Sequence, residues 1–201
     1  MILEEFLPED RATLDEIRGL IGQAERVSPD CPMVNAISAT LKVTLFEEFD
    51  AAYVAARRSL KANPSNFFAL QTLAACSVRL GNLDAAYATS RRCSQMARGS
   101  KFEAMSAIYH VLICLQSTRE EEAFELTRYA ADIAPDYRAA QRTLVGLLGQ
   151  RGALREANAR LEKLGALEQG FTLDRFFNDP DYPVHTLRRT GVLAQAQMRL
   201  M

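Results

Sequence analysis

Apolar residues recur three and four apart along most of this chain, in paired stretches split by short polar turns, a pattern that predicts antiparallel helix hairpins. The clearest pair runs from Asn66 to Ala97. Phe67, Leu70, Leu73, Ala74 and Val78 share one side of its first helix. Gly81-Asn82 then offers two residues that tolerate the left-handed conformation closing a helix. Asp84 opens the second helix, where the backbone dipole favours an acid, and Ala86 and Cys93 keep its inner side small. Such a hairpin leaves one apolar flank uncovered and has to stack on a neighbour. The same reading predicts hairpins over 33–64, 66–98, 102–135 and 136–166. Residues 1–32 precede them as a lead and a half-repeat helix, which starts at Pro8-Glu9-Asp10 and carries Leu14, Ile17 and Ile21 inward to Val27. Residues 167–201 follow as a capping segment: an apolar stretch over 170–177, a turn at Asn178–Asp181, and one helix from Pro183 to about Met198. Two turns stand out: Glu47-Glu48 lacks glycine, and Thr118-Arg119-Glu120-Glu121 has the form of a capping box.

The hairpins repeat in register. Ala52, Ala86, Ala123 and Ala157 hold one place in four successive second helices, at separations of 34, 37 and 34 residues. Gly81 and Gly152 lie 71 apart, and so do Pro64 and Pro135. A 34-residue helix–turn–helix period is that of the tetratricopeptide repeat. The three extra residues fall in Arg98-Gly99-Ser100-Lys101, a longer inter-repeat loop. The expected fold class is therefore all-α, a tetratricopeptide-type right-handed superhelix of antiparallel hairpins with a C-terminal capping helix.

Charge and composition narrow the partners. Acidic and basic residues nearly cancel, leaving a net charge of −1 across 201 residues, and no Lys/Arg block appears. Nucleic acid is not an expected partner of this chain alone, because it needs a concentrated basic face. No apolar run approaches the ~20 residues of a membrane span. Met1-Ile2-Leu3-Glu4-Glu5 is acidic where a secretory signal is basic, so a cytoplasmic location is expected. Cys31, Cys76, Cys93 and Cys114 form no CxxC pair and no metal-ligand spacing, which reads as reduced core cysteine.

Chemistry is sparse. His110 lies beside Tyr109 on a first helix and reads as a packed side chain. His185 follows Asp179, Asp181 and Tyr182, which a capped turn before a helix accounts for. Phosphate loop, nucleophile elbow and HExxH helix are all missing from the sequence. The expectation is a protein that is no enzyme, with no cofactor and no metal. Stacked hairpins do offer a concave side lined by their first helices. Alignment on the turns places Phe68, Gln71, Thr72, Ala75 and Arg79 there, then Met105, Ile108, Tyr109, Leu112 and Gln116, then Arg142, Thr143 and Gly146. An apolar floor edged by Arg79 and Arg142 suits a peptide or protein with an apolar anchor and an acidic group. A second reading stays open for Ile108 and Leu112: packing against a neighbouring helix or the C-terminal cap. The expected function is a regulatory protein–protein interaction module that binds such a partner or forms a homodimer. The alternative is a cytosolic chaperone of the type III secretion kind.

Several runs sharpen the comparison: 62–70 (Ala-Asn-Pro-Ser-Asn-Phe-Phe-Ala-Leu), 134–142, 152–157, and the ending Gly170-Phe171-Thr172-Leu173, Asp179–Tyr182 and Leu187–Val192. On these the chain resembles the C-terminal tetratricopeptide region of bacterial class III adenylate cyclases and winged-helix transcriptional regulators. The resemblance covers about residues 50–193 and implies a repeat array closed by a similar tail. It implies no cyclase or DNA-binding activity for these residues, and points to a regulatory region of a larger protein or a stand-alone relative. The Lys and Asn of the carboxylate clamp in tetratricopeptide co-chaperones are replaced here by Gln71, Ala75, Ile108 and Leu112, so heat-shock chaperone tails are not expected partners.

Overall fold

The structure, a computed structural model, describes residues 11–201; the expected helix start at Pro8–Asp10 lies outside them. Among the described residues the apolar stripes become twelve α-helices and no strand. The helices group into two compact units divided between Ala97 and Arg98, where the repeat spacing lengthens.

The first unit holds α1 (Arg11–Val27), α2 (Pro32–Phe46), α3 (Phe49–Ala62), α4 (Phe67–Arg79) and α5 (Leu83–Met96). Helices α2 and α3 form one hairpin and α4 and α5 the next, and both members of the first pack against α4. The core between them is built from small side chains: Ala36, Ala39, Ala52, Ala56 and Ala69 are wholly buried. Alanine lets two helix axes approach closely, and the larger Phe49, Phe68 and Leu73 close the edges of that core. Asn66 and Asn82 cap α4 and α5, each side-chain oxygen accepting from the backbone N–H three residues on. The turn without glycine is closed by Glu47 itself, which takes φ +53° while the Glu48 N–H donates to Lys42 O. That conformation costs a non-glycine residue about 1 kcal/mol or more.

The second unit holds α6 (Glu103–Gln116), α7 (Glu120–Ile133), α8 (Arg138–Arg151), α9 (Leu154–Leu167), α10 (Leu173–Asn178), α11 (His185–Arg189) and α12 (Val192–Leu200). Its hairpins are α6–α7 and α8–α9, with α7 against α8. Two sequence expectations change here. The capping box does not form: Thr118 takes the left-handed position (φ +56°) that lets the Arg119 N–H return to Cys114 O, and Arg119 then stands at the helix start. Thr118 is one residue too early to cap α7. The single final helix is two, α11 and α12, because Gly191 at φ +81° turns the chain between them.

The repeat register holds in three dimensions. Ala52, Ala86, Ala123 and Ala157 are each wholly buried, and Gly81 and Gly152 share φ +73°. A Leu at Ala123 has no room and should cost about 1–3 kcal/mol, lowering Tm by roughly 3–10 °C. Leu at the exposed Ala88 of α5 should leave Tm within about 2 °C. A pair of thermal melts checks both.

Candidate functional site

The candidate first-helix residues fall four to each unit: Phe68, Gln71, Thr72 and Arg79 in the first, Met105, Tyr109, Leu112 and Arg142 in the second. Arg142 is committed inside its own unit. Its Nε donates to Glu168 Oε1 at 2.6 Å and lies 3.3 Å from the Tyr182 hydroxyl, which donates to Glu168 Oε2 at 2.6 Å. All three side chains are buried. The guanidinium also stands 5.2 Å from the Tyr182 ring centre. Burial first, and then the bond to Glu168, push the Tyr182 phenol well above its ordinary value. That raised phenol stabilises the fold below about pH 10, where the unfolded tyrosine is protonated, and its contribution is lost as the pH climbs beyond.

This triad fastens the tail over the first-helix face of its unit. Helix α12 lies along α8, and α11 rests on α6, where Arg189 donates to Gln116 Oε1 at 2.8 Å. The glycines of α8 show how close the fit is. A Cβ on Gly149 would stand 3.2 Å from the Ala196 Cα, and one on Gly146 would stand 2.8 Å from Leu187 Cδ1. Arg142, Thr143 and Gly146 are thus buried beneath the tail, Ile108 and Tyr109 are buried on α6, and Met105 and Leu112 are half-buried. Tyr182 belongs to the triad, and Asp179 holds a turn by accepting from the Asp181 N–H at 3.0 Å, while His185 is exposed at the start of α11.

In the first unit the equivalent face is packed only in part, against α2. Thr72 is buried against α2, its hydroxyl 3.2 Å from that of Thr40, and Gln71 is buried with it. Phe68 is half-buried, and Arg79 is exposed with its guanidinium 5.7 Å from the Phe49 ring centre. On α2, Met33 and Ile37 are exposed, at 49% and 43%. Helix α1 reaches α2 through Glu25, whose carboxylate accepts from Ser38 and Lys42. Burial works against that carboxylate, but the two hydrogen bonds outweigh it and hold its pKa below the usual value. Sequence reasoning missed Met33 and Ile37 on this face. Their place on α2, next to the Thr40 that meets Thr72, is the signal that marks them.

All four cysteines remain thiols, Cys31 half-buried and the others buried. Burial, and then the charge of Asp50, push the Cys76 thiol up to about 11, so it is inert at neutral pH.

No family model and no curated protein matches the sequence. Solved structures do. The chain is similar to Pseudomonas aeruginosa PilF, with a TM-score of 0.68 over 94% of this chain and 81% of that one, at 14% identity. It is similar to YrrB, described as a TPR protein with an unusual peptide-binding site, at TM-score 0.59, 12% identity, and 89% and 96% coverage. It is similar to MamA at TM-score 0.54, 18% identity, and 79% and 88% coverage. The fold is that of tetratricopeptide-repeat proteins. Among the described residues no helix is long and apolar enough to cross a membrane.

The buried triad gives a direct test of how the tail is held. Glu168→Ala leaves the Arg142 charge buried without its carboxylate and should cost about 3–5 kcal/mol by urea denaturation. The double variant R142M/E168M removes both charges and should recover at least half of that loss; two equally damaged chains would show that the pair contributes nothing specific.

Proposed function

We propose that the chain is a non-enzymatic interaction scaffold, cytoplasmic and regulatory, whose α2–α4 face takes a protein or peptide partner. The observation that carries this reading is the contrast between the two units. On α8, Gly146 stands 71 residues after Ala75 of α4, at the same place in the repeat. Leu187 and Val192 of the tail occupy the space above Gly146. In the first unit Phe68 of α4 is half-buried and Arg79 exposed, and Met33 and Ile37 are exposed on α2. The tail is thus an internal example of what such a face accepts: a helical segment with small and branched apolar anchors, tied down by one ion pair involving an arginine. A partner for α2–α4 needs the same chemistry, with an acidic group placed for Arg79. The peptide-binding site for which YrrB is described supports a peptide as one form of partner. The likeness of the tail to those of bacterial regulators supports a regulatory setting.

A photo-crosslinker at Ile37, introduced in the native host, tests the reading. It should trap a discrete protein or a second copy of the chain, and F68A/R79E should reduce the yield about tenfold or more while the helical circular dichroism stays unchanged. Equal trapping from a crosslinker at Tyr129, an exposed residue of α7, or full trapping by F68A/R79E would refute it.

A further inference from the structure

His110 and Cys114 stand one turn apart on α6, and the hairpin brings Glu122, in the first turn of α7, against them. Three donor types therefore meet inside one hairpin: an imidazole nitrogen, a thiol sulfur and a carboxylate oxygen, all within 4.8 Å of one another. The sequence spacing conceals this, because Glu122 lies across a turn and the cysteines carry no paired motif.

The distances fit a hydrogen-bonded cluster, in which N···S contacts of 3.6 Å are ordinary, and they also fit a metal site. His110 Nε2 lies 3.4 Å from Glu122 Oε1 and 3.6 Å from Cys114 Sγ. An imidazole–carboxylate hydrogen bond prefers about 2.7–3.2 Å. A zinc ion bound at about 2.1 Å to nitrogen and oxygen and about 2.3 Å to sulfur sets tetrahedral edges of about 3.4 Å for N···O and 3.6 Å for N···S. The two separations from Nε2 are of that size; Cys114 Sγ also lies 3.9 Å from Nδ1, so an entering ion has to turn the imidazole until Nε2 faces it. Charge agrees with geometry. A thiolate and a carboxylate together neutralise a divalent ion, so the site buries no net charge. His110 and Cys114 are buried, while the Glu122 side chain is 35% exposed and leaves a way in for an ion. The thiolate and imidazole donors select a borderline-soft cation over magnesium or calcium.

We infer that His110, Cys114 and Glu122 form a three-ligand site for a borderline-soft divalent cation, zinc above all, with a fourth position open to water. The ion links α6 to α7 and locks that hairpin. Cys114 binds as the thiolate, giving its proton to solvent when the ion enters.

The reduced, chelator-stripped full chain, titrated with Co²⁺ and then with Zn²⁺, tests this. One cobalt ion per chain should bind, with thiolate-to-metal charge-transfer absorption and the intense visible bands of a tetrahedral site, and zinc should displace it. Saturating zinc should raise Tm by about 5–10 °C. Cys114→Ser should abolish the charge-transfer band. Glu122→Gln, at a partly exposed position where the fold is not at risk, should weaken cobalt binding about tenfold or more. No saturable uptake by the folded chain, or uptake unchanged in both C114S and E122Q, would overturn the assignment and leave a packed polar cluster.

Discussion

The structure depends on a constraint that no single hairpin can satisfy: an amphipathic helix pair hides one flank and leaves the other apolar. Each flank has to be covered by the next element. The wholly buried alanines set how closely the layers meet, because a methyl group allows a separation that leucine does not. The proposed partner surface follows from what comes to lie on those flanks.

In the second unit the chain supplies its own cover. Its tail is more than a polar cap: it inserts Leu187, Val192 and Ala196 against α8 and pins itself with Arg142, Glu168 and Tyr182. A buried ion pair gives little net stability, since desolvation offsets most of the attraction, but its removal is costly. Its effect is to define one seating of the tail over the alternatives that greasy contacts alone would permit. The first unit carries the same type of helix face with exposed methionine, isoleucine and arginine, which is why the partner surface is proposed there.

Much of this was legible in the sequence. The spacing of Ala52, Ala86, Ala123 and Ala157 gave the hairpins and their register, and the extra residues around Gly99 marked the place where the two units divide. Helix existence followed from the apolar stripes, since these repeats are local and their contacts are close in sequence. What escaped lay in longer-range pairings. Arg142 reads as a basic groove residue until Glu168, 26 residues on, is seen to bury it. Thr118 reads as a cap until the need for a left-handed residue after α6 claims it. Gly191 sits inside an apolar stripe that looks continuous, and periodicity alone gives no sign that the chain turns there. The His110–Glu122 approach depends on the angle of one hairpin, which no spacing rule encodes.

The most direct test of the central claim is amide hydrogen exchange on the chain ended at Leu167, compared with the full chain. If the tail is the cover that the second unit requires, the amides of α8 should exchange at least about a hundredfold faster once it is removed. Unchanged protection of α8 in the shortened chain would contradict the account, since its apolar flank would then need no cover at all.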